Sequence, residues 1–124
     1  MEQATKYWNV FLNVVQTKYA QFQGRADKME FWSYVLVYIV LAIAVSIVGA
    51  ILRLDILITI FQLALLVPSF AVGARRLHDI GRTGWWQLLV LIPIIGLIVL
   101  IYFWVQNSQQ GENQFGANPQ PTAN

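Results

Sequence analysis

The sequence has no cysteine. That excludes disulfides, thiolate zinc sites, iron–sulfur clusters and cysteine nucleophiles. A single histidine and six scattered acidic residues give no metal-ligand pattern, and no cofactor is implied. Charge is scarce. Asp, Glu, Lys and Arg make up 11% of the 124 residues, against about 25% in an ordinary soluble domain. Neither a disordered chain nor a nucleic-acid binder has this balance. No basic start leads into an uninterrupted apolar run, so the first thirty residues do not read as a secretory signal. The tail after Val105 has no Lys or Arg.

What is present is apolar surface. Hydrophobic residues make up 57% of the chain, more than a water-soluble globule this small could bury. The composition is that of a single small integral membrane domain, residues 1–124. Three apolar runs carry the signal: Phe31–Leu52, Ile56–Ala74 and Trp85–Val105, of 22, 19 and 21 residues. At about 1.5 Å per residue each approaches the roughly 30 Å hydrocarbon layer. Arg53-Leu54-Asp55 separates the first two, which form a tight hairpin. The expected fold is all-α, with three transmembrane helices at about 31–52, 56–74 and 85–105.

An amphipathic helix at about 5–23 precedes them. Trp8, Phe11, Leu12, Val15, Tyr19 and Phe22 share one face at helical spacing, and Asn9, Asn13, Gln16 and Ala20 lie opposite. Such a helix either lies in the membrane interface or packs on the rest of the protein. Residues 1–30 form a cytoplasmic or interfacial segment. Within it, Asp27-Lys28-Met29-Glu30 reads as a capping box that starts the first span. Residues 106–124, rich in Gln, Asn, Gly and Pro, read as a flexible polar tail.

Seven of the eight Lys and Arg residues lie before the first span or between the second and third. The positive-inside rule then places the N-terminus in the cytoplasm. Three spans place the C-terminus outside, away from the basic loop. Pro68, and Pro93 with Gly96, should kink the second and third spans. Gln62, deep in the second, should bond across helices or to its own backbone.

The polar stretch Arg75–Gly84 is the densest in chemistry. Arg75, Arg76, His78 and Arg82, with Arg25 on the same side, could converge at the inner membrane surface. Arginine forks match phosphate oxygens, and basic clusters there attract anionic lipid. Gly81 and Gly84 would admit a phosphate to backbone amides near a helix N-terminus. Trp85 and Trp86 mark the interface. Asp79 more simply pairs with an arginine than serves His78 in acid–base chemistry, since adjacent residues rarely face each other and no nucleophile is marked.

These polar blocks have a family likeness. Phe22-Gln23-Gly24-Arg25, Glu30-Phe31-Trp32, Arg75-Arg76-Leu77-His78-Asp79 with Gly81-Arg82-Thr83-Gly84-Trp85-Trp86, Ile92-Pro93 with Gly96, and Gly111-Glu112-Asn113 with Phe115-Gly116 and Pro119 resemble the YhaH-like bacterial inner-membrane family, domain of unknown function 805. Asp27 and Lys28 stand where a small hydroxyl residue and an arginine are expected, and Phe115 where tyrosine is usual. The resemblance implies a multi-pass protein of the bacterial plasma membrane and no assigned activity.

The leading expectation is a non-enzymatic membrane protein. It binds anionic lipid or a membrane partner through Arg25, Arg75, Arg76, His78 and Arg82. The alternative is a small oligomeric transporter or channel, suggested by Pro68, Pro93, Gly96 and Gln62. Three short helices enclose little space, so both readings favour a homo-oligomer or a membrane-protein partner.

Overall fold

A computed structural model describes residues 2–119. Among them the chain is helical, with no strand and one isolated bridge between Asn113 and Gly116. The order is α1 (Glu2–Thr17), α2 (Lys28–Leu52), α3 (Ile56–Ala64), α4 (Leu66–Asp79), a 3₁₀ helix (Gly84–Leu91) and α5 (Ile95–Trp104).

The amphipathic helix forms but stops at Thr17, leaving Tyr19 and Phe22 outside it. It packs on α2, the second of the two arrangements its pattern allows. Phe11 and Val14 are buried, and Phe11 stacks on Tyr34 with ring centroids 5.2 Å apart. Trp8, on the expected apolar face, is exposed.

Asp27 caps α2 as its sequence position requires: its carboxylate accepts from the Glu30 amide at 2.8 Å. The reciprocal half of the capping box does not form. The Glu30 carboxylate turns instead to Lys18 and Arg75. Helix α2 is long and apolar enough to cross a membrane by itself. It ends in a left-handed cap at Arg53, with φ at 56°, and the chain turns back into α3.

The second apolar run is broken. Helices α3 and α4 together are long and apolar enough to cross, but they bend by 43° at Leu65. Pro68 accounts for the break. It has no N–H for the carbonyl four residues back, and its ring crowds that group. The freed oxygen is Ala64 O, and the Tyr19 hydroxyl donates to it at 2.5 Å. The Tyr34 hydroxyl reaches Leu65 O at 3.4 Å and Ser69 at 2.7 Å. Gln62 forms none of its expected bonds. It is exposed, with no hydrogen bond to its side chain among the described residues.

The third apolar run is not a straight span. A helix of this length would hold Gly84 and Trp104 roughly 30 Å apart at 1.5 Å per residue. Instead both contact the same stretch of α4. A Cβ on Gly84 would sit 2.7 Å from Ala74 Cβ. The Trp104 indole donates to Gly73 O at 3.4 Å, and Arg76 Nε donates to Trp104 O at 3.1 Å. The run folds back as a hairpin of the 3₁₀ helix and α5.

Its corner is Pro93-Ile94. Ile94 has φ 68° and ψ −67°, and Ile95 N donates to Pro93 O at 2.7 Å, a γ-turn. Gly96 lets the arms meet, because a Cβ there would run into the Leu89 carbonyl. The tail therefore emerges beside α4 and the N-terminal segment.

Candidate functional site

The stretch read as a loop from Arg75 to Gly84 is mostly helix. Arg75, Arg76, His78 and Asp79 form the last turn of α4. The loop is only Ile80–Thr83. Gly81, at φ 82°, takes the left-handed position after the helix. Its amide bonds His78 O at 3.0 Å, and the Arg82 amide bonds Leu77 O at 2.9 Å. This glycine closes a helix and makes no anion nest.

Asp79 is the centre of the cluster, with its side chain fully buried. Arg25 Nε donates to Oδ1 at 2.8 Å. Arg76 Nη1 donates to Oδ2 at 2.9 Å, and Ser108 Oγ donates to the same oxygen. The expected pairing of Asp79 with an arginine thus occurs twice. No His78–Asp79 dyad forms, because the two side chains have different partners.

Each guanidinium then reaches a different part of the chain. Arg25 donates to the carbonyls of Asp79, Gln109, Gly111 and Gly116 at 3.2, 2.6, 2.8 and 3.1 Å. Arg76 donates to Trp104 O and Gln106 O. Arg75 donates to Gln21 O at 3.0 Å and to the Glu30 carboxylate. Its Nη2 is buried and has no partner among the described residues. The Ala26 amide bonds Arg75 O at 2.9 Å. These residues lock the N-terminal segment, the end of α4 and the tail together.

Residues 106–118 of the tail lie against this cluster. Asn113 Nδ2 donates to His78 O at 2.9 Å, and the Gln109 amide donates to Asp79 O at 2.8 Å. Residues 120–124 of the expected tail lie outside the described residues.

The other candidates stand apart from the buried cluster. Arg82 lies over Trp86 and Phe103, with Cζ 5.1 and 4.3 Å from the ring centroids. His78 stacks on Phe115 with centroids 4.0 Å apart and planes 5° apart. Its Nδ1 bonds Gly24 O at 2.9 Å. Trp85 is 77% exposed. So Arg25, Arg75 and Arg76 converge as expected, but inward. Arg82 and His78 do not join their ion pairs.

Beside His78 lies a groove of about 490 Å³, within the size range of small-ligand sites. Two rows of side chains make it. Phe70, Ala74 and His78 stand four apart on α4. Trp85, Leu88 and Leu91 stand three apart on the 3₁₀ helix, where that spacing eclipses side chains. Gln87 reaches across to Phe70 O at 2.9 Å. The sequence reading missed this groove. Its one available signal was Gln87, a buried polar residue inside an apolar run. The reading also missed Glu30 and Ser108 as partners of the arginines, since nothing local marks them.

Comparison with known proteins agrees with the membrane reading. A family model described as "Protein of unknown function (DUF805)" matches residues 19–117. Escherichia coli "Inner membrane protein YhaH" is 38% identical over 115 residues, covering 88% of this chain and 94% of that protein. "Inner membrane protein YhaI" of the same organism is 34% identical over 111 residues, covering 88% and 93%. "Uncharacterized protein YiiR" is 38% identical over 73 residues, 57% of this chain and 49% of that protein. No solved structure matches. With a family model that matches residues 19–117 and two inner-membrane relatives aligned over more than nine-tenths of their own length, this chain belongs to the DUF805 family.

Proposed function

We propose that this protein is a non-enzymatic component of the bacterial inner membrane that binds a membrane lipid beside His78. In this reading α2 crosses once, the bent pair α3–α4 crosses back, and the 3₁₀–α5 hairpin re-enters without crossing. All the basic residues but Arg53 then lie in the cytoplasm, and the tail lies with them.

One observation carries the reading. Of the five residues expected to meet lipid, Arg25, Arg75 and Arg76 are spent on bonds within the chain. His78 alone of the five lines a groove whose walls are apolar. The expected preference for anionic lipid loses its strongest carriers, because buried, paired guanidiniums do not recruit phosphate. Asp79 does not orient His78, because Arg25, Arg76 and Ser108 take both of its oxygens.

Native mass spectrometry of protein released from its own membranes tests this. The parent should carry bound lipid. Leu88→Trp, which fills the groove without touching the arginines, should lose most of it. Equal lipid on both would contradict the reading.

The transporter alternative has one specific support. Gln62 faces outward in an apolar helix with no side-chain partner among the described residues. In hydrocarbon such an amide finds a partner on a neighbouring helix, which a second copy would supply. Broken spans and re-entrant segments also line substrate paths in transporters. A defined oligomer with solute flux in liposomes would support this alternative, and a strict monomer would remove it.

A further inference from the structure

The groove has a chemical polarity that narrows its ligand. A backbone carbonyl only accepts hydrogen bonds, so the contact between Gly24 O and His78 Nδ1 at 2.9 Å places the ring proton on Nδ1. Nε2 of the neutral imidazole then holds a lone pair. That atom lies 3.8 Å from the Cβ position of Gly84, inside the groove lining, and has no partner among the described residues. Phe115 covers one face of the ring, and the bond to Gly24 fixes its orientation. The acceptor is therefore held in place.

Apart from Gln87, the rest of the groove lining is largely apolar. The row Phe70, Ala74, His78 runs about 12 Å along α4 at 1.5 Å per residue, and Trp85, Leu88 and Leu91 face it. The second polar group, Gln87, is already bonded to Phe70 O. The mouth is formed by side chains that are themselves exposed: Trp85 by 77%, Leu88 by 56% and Leu91 by 76%. In a membrane protein those side chains meet acyl chains.

We infer that the groove holds one chain of a lipid whose head presents a hydroxyl donor to His78 Nε2. This rests on the lipid-binding reading above and adds the head-group chemistry. A phosphate or carboxylate oxygen is the wrong partner, because it accepts where Nε2 also accepts.

The test uses full-length protein in vesicles of neutral phospholipid. Three diazirine-bearing probes share one long chain: a primary alcohol, its methyl ether and the matching fatty acid. Cross-linked peptides are mapped by mass spectrometry. The alcohol should label Phe70–His78 and Trp85–Leu91 above the outward face of α2. The ether should label the groove about fivefold less, the worth of one hydrogen bond. Leu88→Trp should remove groove labelling and leave α2 labelling unchanged, which also reports that the variant is folded. His78→Phe should bring alcohol and ether to the same level.

Equal labelling by alcohol and ether would overturn the head-group assignment while leaving lipid binding intact. Strongest labelling by the acid would overturn it in favour of an anion site. Labelling no higher than on α2 would overturn the groove as a site, and lipid retained in native mass spectrometry would then lie elsewhere.

Discussion

Arg25 and Asp79 stand 54 positions apart and close a buried ion pair at 2.8 Å. Arg76 holds the other carboxylate oxygen at 2.9 Å. Removing Asp79 leaves two guanidiniums buried without their counter-charge. Breaking one side of such a cluster costs about 3–5 kcal/mol. Asp79→Asn keeps the shape and loses the charge, so it should lower the thermal midpoint in detergent sharply. It should also expose residues 106–118 to protease. A variant as stable as the parent, with a resistant tail, would show that the ion pairs do not hold the three segments.

A second prediction concerns the bend at Leu65. If Pro68 frees Ala64 O and the Tyr19 hydroxyl satisfies it, the two residues are coupled. Tyr19→Phe should cost about 1 kcal/mol in the parent. It should cost much less beside Pro68→Ala, where the residue 68 amide can bond Ala64 O itself. The double-mutant cycle in unfolding free energy reads this coupling. Independent effects would reject the account of the bend.

The hairpin corner supplies a third. Ile94 is β-branched at φ 68°, a backbone region that disfavours side chains of this shape. Such strain is worth about 1–3 kcal/mol. Ile94→Gly relieves it and gives back part of the gain in unfolded-state entropy. The expected result is a rise in stability of about 1 kcal/mol, measured by thermal unfolding. Loss of stability would mean that the Ile94 side chain contributes more than the turn costs.

The sequence made local features legible and hid directional ones. Asp27 as a cap and Pro68 as a kink depend on neighbours within four residues, so their pattern suffices. Arg75–Asp79 looked like loop because the apolar periodicity stops at Ala74. The helix continues because its charges find partners far away, at Gln21, Arg25, Glu30, Trp104 and Gln106.

The run Trp85–Val105 has the length and hydropathy of a span. Those quantities carry no direction, and only the Pro93-Ile94 γ-turn reverses it. The same blindness affected the site. Counting arginines singled out Arg25, Arg75 and Arg76, which do meet, together with Arg82, which stands apart. It could not show that the guanidiniums face inward, or that His78 faces a groove made by α4 and a 3₁₀ helix.

The central claim is that the tail and the N-terminal segment share one side of the membrane, tied through Arg25 and Asp79. The chain lacks cysteine, so single cysteines report cleanly. Gln3→Cys, Leu54→Cys and Gln110→Cys would each be tested with a membrane-impermeant maleimide, in intact cells and in inverted membrane vesicles. The account predicts that Gln3→Cys and Gln110→Cys react only in the inverted vesicles and Leu54→Cys only in intact cells. Reaction of Gln110→Cys in intact cells, alongside Leu54→Cys, would contradict it and restore three straight spans.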